Sequence, residues 1–479
     1  MKHLTIIMIF ASATLATGCS VYRNYSRPET ISTDNLFGEG VETADGTTLA
    51  DIDWRDFFTD EHLQRLIEQG LANNCDMKIA AQRIIESEAA LRTARLSYYP
   101  SFAFAPSVAT NNYVNHSANQ NYQLPITASW EVDIAGRLWN GKRRAQAAYE
   151  QSKIYRKSVQ TQVVASIANC YYTLLMLDAQ LDVSRMTAKT WKENVRTIKA
   201  MKQGGMTNEA AVSQTEANSW AIDASLFDLE YRIVQVENTL ALLLGTTPQH
   251  FERGTLHGQK MCEQLLVGIP VQLLSKRPDV QSAEYTLQQM FYSVNLARAA
   301  FYPSLTLSGS GGWINQFGAS IASPGSLLFS FVGKLLTTIF DAGRNRANLK
   351  IAEAQMEQAA ISFQQTLLQA GSEVNNALAQ CQTARSKTDI RKHQIEALQN
   401  AVNSTQQLMR HSDVSYLEVL TAQQTLLSAR LSQIADRFEG IQGMINLYQA
   451  LGGGADEPES PAAEPAKKKS KPERRNAKK

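Results

Sequence analysis

From Asn345 to His411 the chain runs for about 67 residues without a proline and with a single glycine, Gly371. Its apolar residues fall three and four apart: Phe363, Leu367, Ala370, Val374, Ala377 and Cys381, then Ile395, Leu398, Val402, Thr405 and Met409. Such spacing, held over many turns, is that of a helix. At ~1.5 Å per residue the helix would be roughly 100 Å long, against the ~10 to 14 residues usual in a globular domain. A compact round fold cannot hold it. The period lies closer to ~3.5 than to ~3.6 residues, which predicts a supercoil against neighbouring helices.

The same object occurs twice. Lys142 to Gln203 is a second long run without glycine or proline, with Cys170, Leu174, Leu177 and Leu181 on one stripe. The approaches match as well: Asp133, Ile134, Ala135, Gly136, Arg137 in one, Asp341, Ala342, Gly343, Arg344 in the other. Asp76 to Pro100 aligns without gaps on Asp279 to Pro303. The chain is therefore a tandem duplication, offset by roughly 203 to 208 residues.

After each matched proline the period changes from helical to two. Tyr122, Leu124, Ile126, Ala128, Trp130 and Val132 alternate with Gln123, Pro125, Thr127, Ser129, Glu131 and Asp133, giving one apolar and one polar face. Phe102 and Phe104 begin the partner strand, and residues 111–121 between them are asparagine-rich, as in a surface loop. In the second half Leu305 and Leu307 alternate with Thr306 and Ser308, and Phe329, Phe331, Leu335 and Ile339 mark the returning strand. Strands of about ten residues suit a tilted crossing of a membrane. Four strands cannot close a barrel, and lipid tolerates no open edge, so several copies must share one. A small soluble sheet covered by helices is the alternative. Against it stand the export signal described next and Tyr122, Trp130 and Trp313, placed as an interfacial belt.

Residues 1–18 read as an address: Lys2 and His3, then an apolar stretch from Leu4 to Phe10, then small residues up to Cys19. Leu15, Ala16, Thr17, Gly18, Cys19 is similar to a lipoprotein box, with the large aliphatic residue four places before the cysteine instead of three. Cys19 is the expected lipidation site, and Ser20 is compatible with delivery to the outer membrane. An ordinary cleaved signal with a spare cysteine is the alternative. No later segment has the ~18 to 20 uninterrupted apolar residues of a spanning helix.

Charge names no partner. Of 47 basic and 45 acidic residues, eight and five lie after Gly453, which leaves a body of 39 and 40. Such a body gives no argument for nucleic acid. The remaining cysteines are Cys75, Cys170, Cys262 and Cys381. Cys170 and Cys381 fall on apolar helix positions, as small buried hydrophobes do. A Cys75 to Cys262 disulfide is chemically allowed in an oxidising compartment.

Each long helix turns back once, at Gly204, Gly205, Met206, Thr207 and at Ser412, Asp413, Val414, Ser415, and returns to Gly245 and Gly452. Each half is thus a strand hairpin at one end and a helical hairpin at the other. The segments are a signal (1–18), a lipidated leader (19–59), first-repeat helices (60–100), a membrane hairpin (101–136) and a helical hairpin (137–245). An equatorial linker (246–278), a helix (279–303), a second membrane hairpin (304–342), a second helical hairpin (343–452) and a basic, disordered tail (453–479) follow.

In its ordered motifs the chain resembles the TolC-like outer membrane factor family, and particularly its OprM/CusC-like lipoprotein branch. These motifs are Trp54 to Phe58 with Leu63, Leu66 and Ile67; Asn74 to Asp76; Pro270, Leu273, Leu274, Arg277, Pro278, Asp279 and Val280; Pro303 and Ser304; Asp341 to Arg344; and Ser415, Tyr416, Leu417, Val419, Leu420, Ala422 and Gln423. The resemblance implies a homotrimer, mainly α with membrane strands, in which a shared outer-membrane β-barrel of twelve strands continues as a periplasmic α-barrel of twelve helices. It also implies a passive conduit that exports drugs or other small toxic solutes, with a periplasmic adaptor docked on the tips and an inner-membrane pump behind it. The tip residues Gly204, Gly205, Met206, Thr207, Ser412, Asp413, Val414 and Ser415 are then the expected adaptor contacts. Three copies of Asp413 would form a carboxylate ring, a candidate gate; a turn aspartate capping the returning helix is the alternative. Ser412 stands where the family usually has glycine.

The sequence offers no catalytic constellation: no metal-spaced histidine or cysteine cluster, no phosphate loop, no nucleophile elbow. His116 lies alone in the asparagine-rich stretch, and the 12 methionines do not group, so neither points to a metal site or to copper or silver as cargo. Apart from the lipid on Cys19 and outer-membrane lipid around the strands, no cofactor is expected. A periplasmic adaptor, or a structural coiled-coil envelope lipoprotein, is the rival. An adaptor is expected to carry one helical hairpin; this chain has two, each following alternating strands.

Overall fold

The computed structural model describes residues 24–27, 53–111, 119–259, 277–314, 326–410 and 416–453. In chain order the elements are α1 (Trp54–Phe57), α2 (Glu61–Asn73), α3 (Cys75–Leu96), β1 (Ser101–Phe104), β2 (Ser107–Asn111), β3 (Asn119–Val132), α4 (Arg137–Gln203) and α5 (Glu209–Leu243). Then follow α6 (Pro278–Ala299), β4 (Ser304–Ile314), β5 (Ser326–Leu336), α7 (Arg344–Arg410) and α8 (Tyr416–Ala450).

The duplication is visible element by element. Helices α3 and α6 have 22 residues each, α4 and α7 have 67 each, and α5 and α8 have 35 each. The offset is 203 up to the first strand of each hairpin and 207 after it. Seven residues separate β2 from β3 and eleven separate β4 from β5, so the four extra residues fall wholly in the second hairpin connection.

Local chemistry sets where the long helices begin. The Asp133 carboxylate accepts from the backbone N–H groups of Leu138 and Trp139 at 3.1 and 2.8 Å, and Asp341 accepts from those of Gly343 and Asn345 at 3.1 and 2.8 Å. Gly136 and Gly343 take positive φ, 66° and 82°, in the turn between strand and helix. Helix α4 therefore starts at Arg137, the first residue of the expected helical hairpin, and carries Gly141 inside it, ahead of the glycine-free run from Lys142. Likewise α3 starts at Cys75, because the Asn74 side chain accepts from the N–H groups of Asp76 and Met77.

The four helices nearest the strands lie side by side in the order α3, α4, α6, α7; toward the tips the order is α5, α4, α8, α7. The predicted stripes are the packed ones. Leu174, Leu177 and Leu181 are buried, as are Phe363, Leu367, Ala370, Val374 and Ala377. Full burial of a side chain such as Phe363 contributes about 2 to 3 kcal/mol. Cys170 and Cys381 are partly buried, and burial pushes the Cys170 thiol up to about 11.

An ion-pair ladder joins α4 to α5: Arg185 to Glu230 (2.9 Å), Lys192 to Asp223 (3.1 Å), Lys199 to Glu216 (2.6 Å), and Lys202 to Glu209. Its α5 partners fall seven apart throughout, and its first three α4 residues do as well, the signature of interhelical pairs in a coiled coil. The second hairpin is joined differently, by Lys387 to Glu439 (2.7 Å) and Arg391 to Asp436 (2.8 Å), and does not repeat these rungs. At the equivalent positions stand Lys392 with Arg437, Gln399 with Arg430, and Gln406 with Gln423. Arg430 donates to Gln399 at 2.8 Å, whereas Arg437 donates to the His257 carbonyl at 3.1 Å and Gln423 accepts from Asn194 on α4 at 2.7 Å.

All strands form one antiparallel sheet. β1 and β2 both pair with β3, β3 pairs with β4, and β4 with β5. The strand beginning at Phe102 is split at Ala105 and Pro106. There the Ala105 N–H donates to the Pro125 carbonyl at 3.2 Å, so the hydrogen-free nitrogen of Pro125 faces the split and leaves the β3–β4 ladder continuous. The ladder runs on to Asn111 and Asn119, so residues 111 and 119–121 of the stretch expected as loop over 111–121 are paired as strand. β5 ends at Leu336, before the expected Ile339, because its last partner, Ser304, is where β4 starts after the proline turn.

Candidate conduit: strand wall, joints and tips

Directly opposed residues in a sheet share a face. The registers therefore put Phe102, Phe104, Leu124, Ile126, Trp130, Leu307, Trp313, Leu327, Phe329 and Phe331 on one face across all four strand positions. The rings of Phe329 and Phe331 lie over Gly311 and Gly309, where a Cβ would stand 2.9 and 3.6 Å from them. The opposite face carries Ser101, Thr127, Ser129, Thr306, Ser308, Ser310 and Ser330. The apolar face is exposed in the single chain, Phe329 at 76% and Phe331 at 78%. β1/β2 at one end and β5 at the other are open edges. A sheet with a large apolar face, a hydroxyl face and two open edges fits a shared membrane barrel with a wet interior.

The joints lie where the helical hairpins return. Asn74, buried before α3, donates through Nδ2 to the Leu243 carbonyl at 2.9 Å. Arg277, buried before α6, donates through Nη1 to the Ala450 carbonyl at 2.7 Å, and to Asp279 at 3.0 and 2.6 Å and Glu373 at 2.7 Å. Burial works against the Arg277 charge, but its hydrogen bonds to the Asp279 and Glu373 carboxylates and their negative charge prevail, and its pKa is raised.

Asp60 caps α2 and accepts from the Tyr171 hydroxyl at 2.8 Å and Gln259 at 2.6 Å. Burial alone would raise its pKa; these bonds and the N–H groups of Leu63 and His62 lower it instead. Arg253 is held by Asp178 at 2.5 and 3.0 Å and by Glu237 at 2.6 Å. Trp54 and Phe58 are buried, and Phe57 and Phe58 pack on Tyr448 with centroids 5.0 and 5.6 Å apart. Trp54, Phe57, Phe58, Asn74 and Arg277 stood in the recognised motifs without a role, whereas Asp60 and Arg253 were not singled out. Extending the Asp76/Asp279 alignment two residues upstream would have paired Asn74 with Arg277.

At the first tip Gly204, Gly205, Met206 and Thr207 form the turn. Only Gly205 needs positive φ, 73°; Gly204 has an ordinary φ of −81°. The N–H of Met206 donates to the Met201 carbonyl at 2.9 Å and that of Gly205 to Lys202 at 3.0 Å, which closes the helix end. The Met206 side chain is exposed. Ser412, Asp413, Val414 and Ser415 lie outside the described residues, as do Cys19, His116 and Cys262. Cys75 is an exposed free thiol. Just beyond the second turn, Tyr416 and Leu420 are buried with Trp191, Ile198 and Val212, and the Tyr416 hydroxyl donates to the Asn194 carbonyl at 3.2 Å. Both hairpins therefore pack together near their tips. Among the described residues there is no group of three or more His, Cys, Asp or Glu side chains able to hold a metal ion.

This fold and strand wall define a channel subunit, built to share a membrane barrel and to extend from it as paired helices. Residues 66–246 and 269–453 match the family described as Outer membrane efflux protein, and the chain belongs to that family. The chain is 29% identical over 458 residues to "Cation efflux system protein CusC" of Escherichia coli, covering 94% of this chain and 98% of that one. It is 28% identical over 461 residues, 95% of this chain and 99% of the relative, to "Probable outer membrane lipoprotein SilC" of Salmonella typhimurium. A crystal structure of CusC superposes with a TM-score of 0.80 at 26% identity, covering 91% of this chain and all of that one. The protein is an outer-membrane channel of an efflux pump.

Proposed function

We propose that three copies of the chain assemble into a passive conduit, in which a shared strand barrel crosses the outer membrane and the helices form a periplasmic tunnel. The observation that carries this is the relation between the two open sides of the chain. β3 pairs with β4, and β5 is the repeat-mate of β3 as β1/β2 is of β4. An exposed β5 edge therefore meets the β1/β2 edge of the next copy by the same geometry. The helices repeat the argument. Ile434 and Ile441 of α8 are buried in the core shared with α4, each 6% exposed, while their repeat-mates on α5, Phe227 and Val234, are 73% and 51% exposed. The α5 face is then covered by α7 of the next copy.

Solutes pass without covalent chemistry, energised by an inner-membrane pump through a periplasmic adaptor that contacts the two tips. Small toxic solutes, drugs among them, are the proposed cargo. A lipid on Cys19 anchors the leader, and the course of residues 24–27 supports it. Arg27 pairs with Glu284 at 2.7 Å and Tyr25 packs on Phe291 at 5.7 Å, so the leader climbs α6 toward the strands. Cys19 lies six residues before Tyr25, a reach of roughly 20 Å, while the end of α6 at Ala299 is about 12 Å beyond Phe291. The lipid can therefore reach the level where the strands begin.

The test is single-particle electron microscopy of the detergent-purified full chain. A three-fold hollow cylinder with one short detergent belt and a long tube is expected. Separate rods without a belt would return the protein to the adaptor class.

A further inference from the structure

The strand wall is almost free of charge. Among the described strand residues Glu131 and Lys334 are the charged ones, and the registers place them in one row on the hydroxyl face: Glu131 opposite Thr306, and Thr306 opposite Lys334. The row sits at the helix-proximal end, one residue before the end of β3 and two before that of β5. Its charges are not equivalent. Glu131 is held by the Arg137 guanidinium, Nε donating to Oε1 at 2.7 Å and Nη2 to Oε2, so that pair is neutral. Lys334 stands two strands from Glu131, about 10 Å at ~4.8 Å per strand, and Glu131 is engaged by Arg137 instead. Its side chain is exposed and has no ion-pair partner among the described residues.

We propose that Lys334, repeated in each copy, forms an electropositive ring on the pore wall where the strands meet the helices, and that this ring favours neutral or anionic solutes over free cations. The proposal rests on the shared-barrel conduit assigned above. Fixed charges of one sign in a confined aqueous passage raise the local concentration of the opposite sign and repel their own. Elsewhere on this face the described strand side chains are hydroxyls, glycines, amides and a few apolar groups, and the Asp133 carboxylate just past β3 is turned to the N–H groups that open α4. The relatives named for cation efflux share under a third of their residues with this chain, so their cargo does not decide its own.

The experiment reads the potential beside Lys334 chemically, in full-length protein reconstituted in phosphatidylcholine vesicles. Thr306→Cys, with Ser308→Cys as a second reporter on the same face, is reacted with anionic and with cationic methanethiosulfonate reagents, and peptide masses report each site. The anionic reagent is expected to react about threefold faster than the cationic one, with the ratio near one in Lys334→Gln and inverted in Lys334→Glu. A ratio at both reporters that ignores Lys334→Glu overturns the ring while leaving the conduit intact. The conduit has its own control in Leu307→Cys on the apolar face, which lipid should shield. Labelling of Leu307→Cys with protection of both hydroxyl-face reporters would overturn the conduit, and the ring with it.

Discussion

Asn74 and Arg277 hold the same position in the two halves of the chain, 203 residues apart, and each donates a side-chain hydrogen bond to the carbonyl that ends the returning helix, Leu243 or Ala450. Two different residue types thus close one joint. Asn74 also caps its helix, whereas Arg277 reaches further, to Asp279 and Glu373.

The joints should differ in their tolerance of substitution. Arg277→Ala removes a buried fork with several bonds and is expected to cost about 2 to 3 kcal/mol; Arg277→Lys keeps the charge, loses the fork and should fall between. Asn74→Ala loses a cap and should cost about 1 kcal/mol. Thermal unfolding of the assembled protein in detergent measures the order.

Asp60 predicts an acid limb. Its folded pKa is lowered, so its contribution to stability is present above the ordinary carboxylate value and is lost as pH falls through the folded one. Asp60→Asn can still cap α2 but does not titrate. The variant should be less stable at neutral pH, and its unfolding midpoint should change less between pH 5 and roughly pH 2 than that of the unmodified chain.

The α4–α5 ladder predicts compensation. Lys199→Glu places like charges beside Glu216 and should destabilise the first hairpin by about 0.5 kcal/mol, and adding Glu216→Lys should restore it. Limited proteolysis near the tip, at low and at high salt, reads the effect, which salt should weaken. An unchanged cleavage rate in the single variant would mean that the rungs contribute nothing.

The first tip separates two adjacent glycines. Gly205→Ala forces a side chain into the left-handed region and should cost about 1 kcal/mol. At Gly204 the φ is ordinary and the nearest atom to a new Cβ is 3.6 Å away, so Gly204→Ala should be nearly neutral. Paired melting curves decide it.

For the second tip, Asp413→Ala should shift the ion selectivity of the channel away from cations in a bilayer recording if the three carboxylates form the gate. Unchanged conductance and selectivity would assign Asp413 to capping.

Periodicity and local turn chemistry made the elements legible. The stripes from Phe363 to Ala377 and from Leu174 to Leu181, the alternation from Tyr122 to Val132, and the turn at Gly205 all depend on neighbours within a few residues, which is why sequence alone determined them. Duplication was legible for the same reason, since it is a comparison of the chain with itself. Tertiary structure decided what meets across distance. It joined β3 of one half to β4 of the other, split the first strand at Pro106, and laid α4 between α3 and α6. It also matched Asn74 with Leu243 and Arg277 with Ala450, and set Glu131, Thr306 and Lys334 in one row. No periodicity encodes these pairings. They follow from which faces can be buried together and which backbone groups still need a partner once the local elements have formed.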